Sequence, residues 1–322
     1  MSQVASNLPT LGSIRDGFGI GLLEMAKKKP EIVALCADLT ESVRLLPFKA
    51  KYPQRFIEIG VAEQNLVGVA AGLALAGKIP FAASYAAFSP GRSFDQLRVS
   101  VCYSNLNVKL IGGHAGLTVG PDGATHQMLE DLALTRSLPN LTVVVPCDQE
   151  EARKATHAIA KHLGPCYLRL SRDKSPVVTK TETPFSLGKA VVLQPGKHVT
   201  LFACGIMVAE ALQAAEHLKK HDVVAEVINI HTLKPLDKYA IVKSAQKTRA
   251  VVTAEEHQLA GGLGSAISEV LAESCPTPLE RVGIRDQFGE SGESQELLAK
   301  FELTSNDIIK AVWKVLERKQ ER

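Results

Sequence analysis

The feature that most restricts this chain is an alternation of short apolar runs with segments of helical spacing. EIVALCA (Glu31 to Ala37), KIPFAAS, NVKLIGG, LTVVVP and PCYLRLSR are each four to eight residues long, with longer amphipathic stretches between most of them. Runs that short and that apolar suit strands covered on both faces, and strands alternating with helices build a mostly parallel sheet. From about Asp173 to Leu187 the periodicity fails and Pro, Thr and Lys accumulate, which reads as a linker. The alternation then restarts with HVTLFACG, VVAEVINI, RAVVTAEE and PLERVGI. The expected fold is therefore α/β, with two doubly wound, mostly parallel-sheet domains at 1–175 and 188–322 joined by a linker at 176–187. A chain of 322 residues is long enough for two such cores.

The most informative stretch is Phe56 to Gly77, FIEIGVAEQNLVGVAAGLALAG. It reads as a short strand, a turn at Gly60 and a helix from about Ala62 to Ala76, uncharged after Glu63. Gly68, Ala70, Ala71 and Gly72 would let another element come close, so the helix is expected to be buried almost all round. Glu63 in its first turn faces two opposed effects: burial raises a carboxyl's pKa, and a helix N-terminus favours the ionised form. Such a carboxyl suits proton chemistry, although a first-turn Glu that completes a helix cap is an ordinary explanation.

Several polar residues lie at expected strand ends, where parallel sheets gather ligands. Asp38 and Ser42 follow the EIVALCA strand, either as a ligand-facing pair or as a capping turn. Tyr85 and Phe88 could stack on a flat ring or pack into the core. His114, Asp122 and His126 share a long glycine-rich loop, GGHAGLTVGPDGATHQ. Imidazoles there could move protons to and from hydroxyls, and the rivals are a zinc site or a purely structural loop. Arg15 and Arg172 could capture phosphate or could be solvated surface arginines. The glycines of AGGLGSA (Gly261 to Ala266) hint at a phosphate loop, or at a helix start packed against its neighbour.

The bulk numbers exclude some classes. A net charge of +3 on scattered Lys and Arg gives no support to a nucleic-acid or membrane-surface role. Six widely spaced cysteines without a CxxC pair suit reduced thiols. The polar start MSQVASNLPT lacks a signal-peptide core, reads like an intact reading frame, and makes the cytoplasm the expected location.

GVAEQN at Gly60 to Asn65, ADLTES, FSPGR, GGHAG, GPDGATHQ, PCDQEE and RLSR occur in this order, and together they resemble the C-terminal half of transketolase. The resemblance runs from about Leu11 to the end of the chain. It implies a pyrimidine-binding domain followed by a transketolase C-terminal domain, with thiamine diphosphate as cofactor. Glu63 matches the glutamate that hydrogen-bonds N1′ of the cofactor's aminopyrimidine and promotes the imino tautomer that takes the thiazolium C2 proton. Tyr85 and Phe88 match aromatics packed on that ring. His114 and His126 match histidines near the substrate's oxygens, and Asp122 an aspartate that reads a sugar hydroxyl. Arg15, Ser42 and Arg172 match residues that hold a sugar phosphate, and Asp38 lies at the cofactor-side subunit contact.

Two departures stand out. The loop after Phe88 reads SPGRSF, one residue longer than usual, and lacks a third aromatic that many transketolases carry. No GDG motif with a following Asn is present, although the family uses it to hold magnesium (or calcium) and the diphosphate. The resemblance therefore implies a split-gene enzyme whose N-terminal partner chain carries that motif, two copies of each chain forming a heterotetramer in which this chain pairs with itself. The implied reaction moves a two-carbon ketol unit from a ketose phosphate to an aldose phosphate. Alternatives are the beta chain of a 2-oxoacid dehydrogenase, a deoxyxylulose-phosphate synthase, and a non-catalytic binding or regulatory subunit.

Overall fold

The structure, a computed structural model, describes residues 10–320. The first nine residues, including most of the polar start, lie outside the described residues. In the first half the elements are β1 (Leu11–Ser13), α1 (Ile14–Lys28), β2 (Ile32–Cys36), α2 (Leu46–Lys51), β3 (Phe56–Glu58), α3 (Glu63–Leu75) and β4 (Ile79–Tyr85). A short α4 (Phe94–Gln96) runs into a wider π turn over Leu97–Tyr103. Then come β5 (Lys109–Gly113), α5 (Asp131–Ser137), β6 (Thr142–Val144), α6 (Gln149–Lys161), β7 (Cys166–Arg169) and β8 (Lys174–Pro176). The second half has β9 (Val191–Gln194), β10 (Val199–Ala203), α7 (Met207–Lys219), β11 (Ala225–Asn229), β12 (Thr232–Lys234) and α8 (Lys238–Thr248). It ends with β13 (Val251–Gln258), α9 (Leu263–Ser274), β14 (Leu279–Ile284), α10 (Ser294–Lys300) and α11 (Ser305–Gln320).

Two sheets carry the fold. The larger has the order β12-β6-β7-β5-β4-β2-β3, parallel throughout except for the β12 edge. The smaller has the order β14-β13-β10-β11-β9, parallel except for the β9 edge. The expected α/β class with two mostly parallel sheets is what the chain builds. Every residue of β2, β4 and β5 is buried, which is why these strands read as unbroken apolar runs with no alternation. The edge strand β12 comes from the second half yet pairs with β6, so the two halves share one sheet.

Three local expectations change. The apolar and polar residues from about Leu11 to Lys29 alternate at helical spacing that predicts one helix, but the segment begins instead with β1, whose partner is β8, antiparallel. The residues around Lys174 that lack periodicity are thus ordered by a strand from the far end of the first half. The helix α3 is not buried all round: Leu66, Val67, Ala70 and Ala71 face the core, while Gly68, Gly72 and Leu75 are exposed. A Cβ added at Gly68 or Gly72 would meet nothing within 4 Å. Small apolar residues mark a face that can be approached closely, and none of the described residues comes within 4 Å of a Cβ at Gly68 or Gly72.

Candidate active site

The site lies along the carboxyl ends of the parallel strands in the larger sheet, the edge where open α/β sheets hold ligands. Asp38 and Ser42 follow β2, Glu63 follows β3, Tyr85 ends β4, His114 follows β5 and Arg172 follows β7. Arg15 reaches the same edge from the first turn of α1.

Glu63 is 5% exposed, and its two carboxylate oxygens lie 3.2 and 3.3 Å from Nη1 of Arg92. The residue before the helix, Ala62, has no side chain to cap it, and the Glu63 carboxylate turns to the arginine, away from the helix amides. The capping explanation therefore loses its basis. The guanidinium of Arg92 lies 4.2 Å from the centre of the Phe88 ring. Phe88 stacks on Tyr85 at 5.7 Å, and Tyr85 stacks on the His114 imidazole at 3.7 Å. His126 meets the edges of Phe88 and Tyr85 at 5.3 and 6.2 Å. One continuous line of contact thus runs from the buried acid through three rings to Arg15, whose Nη1 lies 3.3 Å from Nε2 of His114.

That last contact fixes the imidazole's state. A guanidinium can only donate, so Nε2 accepts and the ring proton sits on Nδ1. Burial, with Arg15, Arg172 and Arg44 nearby, pushes the His114 pKa down to about 2, so the ring is neutral at physiological pH. Nδ1 is buried and has no partner among the described residues, which leaves one N–H donor unused.

Arg15 is 8% exposed, and burial, reinforced by Arg44, lowers its pKa to about 10. Its Nη1 donates to the Ser42 carbonyl at 2.7 Å, and Nε and Nη2 donate to the Arg172 carbonyl at 3.2 and 2.8 Å. Arg172 in turn donates to the Val119 carbonyl of the glycine-rich loop. The three phosphate candidates are therefore clustered, with Ser42 contributing its backbone carbonyl to the cluster. Asp122 and Asp38 are exposed at the rim, and among the described residues their carboxylates take no hydrogen bond. Asp38 has a left-handed backbone (φ 57°), and its amide donates to Glu58.

Two residues essential to this geometry escape sequence reasoning. Arg92 stands inside the FSPGR motif, yet nothing in the motif says that the guanidinium folds back over Phe88. Glu256, 138 positions away, accepts from the amide of Thr118 at 2.8 Å and so anchors the glycine-rich loop. The glycine cluster at Gly261 resolves as a packed helix start: the amides of Leu263 and Gly264 donate to the buried carboxylate of Glu255 at 2.6 and 2.8 Å. Among the described residues no group of three His, Cys, Asp or Glu is placed to hold a metal ion. Nor is any described helix long and apolar enough to cross a membrane.

A shielded carboxylate beside a platform of rings, at the carboxyl edge of a parallel sheet, is the layout of a ligand-binding α/β fold. Comparison with known proteins says which one. Family models match at residues 12–177, for the transketolase pyrimidine-binding domain, and at 188–308, for the transketolase C-terminal domain. The chain is 48% identical to the 6-deoxy-6-sulfo-D-fructose transketolase subunit of Clostridium sp. (strain MSTE9), covering 96% of each chain. It is 41% identical to a putative transketolase C-terminal section of Methanocaldococcus jannaschii, over 95% of this chain and 96% of that one. It also superposes on a solved split-gene transketolase, described as an inactive beta4 tetramer, with a TM-score of 0.90 and 47% identity. That match covers 96% of this chain and 99% of the other. The chain belongs to the transketolase family of transferases.

Proposed function

We propose that this chain is the C-terminal subunit of a split transketolase, which with an N-terminal partner chain transfers a two-carbon ketol unit between ketose and aldose phosphates. On this reading residues 1–175 form the pyrimidine-binding domain, 176–187 the linker and 188–322 the C-terminal domain. The observation that carries it is the line of contact from Glu63 through Arg92, Phe88 and Tyr85 to His114 and Arg15. The cleft suits thiamine diphosphate on its own chemistry: an acid shielded from water beside aromatic faces, and an unpartnered imidazole N–H further along. When bound, that cofactor supplies the nucleophilic carbon that carries the two-carbon unit.

This chain's residues divide the remaining tasks. Glu63 holds the proton-bearing edge of the aminopyrimidine through N1′, and Tyr85 and Phe88 pack against the ring. His114, kept neutral, offers Nδ1–H to a substrate oxygen, and His126 stands across the ring platform to bind or shift a proton at another. Asp122 at the rim reads a sugar hydroxyl. Arg15 and Arg172, with Ser42, hold the substrate's terminal phosphate. The diphosphate and its magnesium (or calcium) belong to the partner's GDG motif, and Asp38 lies at that subunit contact. The exposed small-residue face of α3 serves self-association within a two-plus-two heterotetramer. The words subunit, C-terminal section and split gene in the names of the relatives support a divided enzyme. The reading also implies a cytoplasmic protein with no nucleic-acid partner.

A sulfonated ketose is a second substrate class, favoured by the name of the Clostridium relative. A sulfonate presents arginines with a tetrahedral oxyanion much like a phosphate, so both sugars belong in the assay. Glu63→Gln, assayed with the partner chain, cofactor and magnesium, is expected to keep the fold by circular dichroism and to lose at least about a hundredfold in kcat. Full activity in that variant would sink the assignment.

A further inference from the structure

Arg92 is the one feature of the cleft that the proposed chemistry leaves without a task. Its guanidinium lies over the face of Phe88 at 4.2 Å and reaches both oxygens of Glu63 at 3.2 and 3.3 Å. Those are the two groups to which the reading above assigns the aminopyrimidine. The match is chemical as well as positional. A guanidinium is flat, stacks on aromatic faces and donates N–H bonds from its edge to a carboxylate. An aminopyrimidine seated on Glu63 asks for the same face and the same acceptor.

We propose that Arg92 is a built-in plug: in the chain without cofactor it fills the aminopyrimidine's place between Phe88 and Glu63, and it must swing out before the ring can enter. This rests on the reading of Glu63 and Phe88 as the seat of that ring. The loop is shaped to bring the plug back. The Arg92 amide donates to the Phe88 carbonyl at 3.0 Å, closing a turn. The buried hydroxyls of Ser89 and Ser93 pin the same turn at 2.8 Å, and at Gly91 a Cβ would run into the Ala87 carbonyl. The plug is also free to leave. Among the described residues Glu63 is the only hydrogen-bond partner of the Arg92 guanidinium, and the arginine side chain is 53% exposed, whereas Glu63 is 5% exposed. Rotation of the arginine into solvent therefore breaks one ion pair and one stack and disturbs no core residue. With the arginine in place the shielded Glu63 carboxylate has a charged partner.

The test is isothermal titration of thiamine diphosphate into the assembled complex with the partner chain and magnesium, for the wild type, Arg92→Ala and Arg92→Lys. A plug seated nine times in ten lowers the apparent affinity about tenfold. Arg92→Ala is thus expected to bind thiamine diphosphate about tenfold more tightly, with Arg92→Lys in between, because lysine keeps the charge and loses the flat stack. Inorganic diphosphate, which has no ring to seat, is expected to bind all three forms equally. Equal or weaker binding of thiamine diphosphate by Arg92→Ala overturns the plug while leaving the cofactor reading in place. Binding by none of the three overturns both.

Discussion

The loop from His114 to Asp122 and the turn from Gly261 to Gly264 look alike in sequence, and both are filled from within by neighbouring carboxylates of one strand. Glu256 on β13 accepts the Thr118 amide of the loop, and Glu255 accepts the Leu263 and Gly264 amides of the turn. Successive side chains of a strand point to opposite faces, so one strand braces the loop of the larger sheet and starts a helix of the smaller. The difference lies in what remains unused. At the turn, the free amides of the helix start go to Glu255. At the loop, the imidazole Nδ1 of His114 has no partner among the described residues, Asp122 stands exposed, and the rings of Tyr85 and Phe88 continue the stack from His114. A glycine cluster therefore reports only that something comes close. Polar groups left without partners are what set the loop apart from the turn.

A methyl group added to each segment separates the two most strongly. Gly116 has φ +90° and ψ −172°, a region reserved for glycine, and a Cβ there would enter the Glu256 carboxyl. Gly262 has φ −82°, open to any residue, but its Cβ would enter the Glu255 carboxyl. Gly116→Ala is expected to lose about 3–5 kcal/mol in chemical denaturation, from backbone strain plus overpacking, and Gly262→Ala about 1–3 kcal/mol from overpacking alone. Activity per folded molecule should fall only in Gly116→Ala, because only that loop carries His114 and Asp122. An equal loss in folded Gly262→Ala would make the helix start part of the site.

Much of this was legible in the sequence, for reasons that also mark the limit. Fully buried parallel strands must be apolar along their whole length, so β2, β4 and β5 announced themselves. Their carboxyl ends then located Asp38, Tyr85 and His114 without any tertiary information. Contacts between distant segments left no such trace. Glu256 reads as part of RAVVTAEE, and nothing in that octet tells which glutamate serves which sheet. The antiparallel pairing of β1 with β8 joins two three-residue strands too short to show a period. The uncharged helix α3 predicted burial, but Gly and Ala say how near a neighbour can come, not whether this chain provides one.

The two regions should also titrate in opposite senses. Burial pushes Glu255 up to about 7, against the pull of the Gly264 and Leu263 amides and of Arg169, from an ordinary value of 4.5. The folded protein then keeps a proton that the unfolded chain has lost, so this contribution is full below about 4.5 and is lost as pH rises through about 7. Burial pushes His114 from 6.5 down to about 2. Its contribution is full above about 6.5 and is lost as pH falls. Between these bounds each contributes a slope of about 1.4 kcal/mol per pH unit, of opposite sign. Urea denaturation between about pH 5 and 6 should show stability rising more steeply with pH in Glu255→Gln and less steeply in His114→Asn than in the wild type. Shifts of one sign in both variants would mean that the two sites are not separately buried as described.

The smallest stability effect belongs to Asp122→Asn, and its smallness is the point. The carboxylate is exposed on the loop and takes no hydrogen bond among the described residues, so the substitution should change stability by less than about 0.5 kcal/mol. If the loop's unused groups belong to the substrate, removing one charge from the rim should still show in the kinetics. An amide keeps an acceptor but binds a sugar hydroxyl less strongly than a carboxylate does, by about 1 kcal/mol or more. That corresponds to a fall of about fivefold or more in kcat/KM for a sugar bearing the hydroxyl and little change for one lacking it. The same kcat/KM for both sugars in wild type and variant would remove Asp122 from the site. The loop's claim to differ from the helix start would then rest on His114 and the ring platform alone.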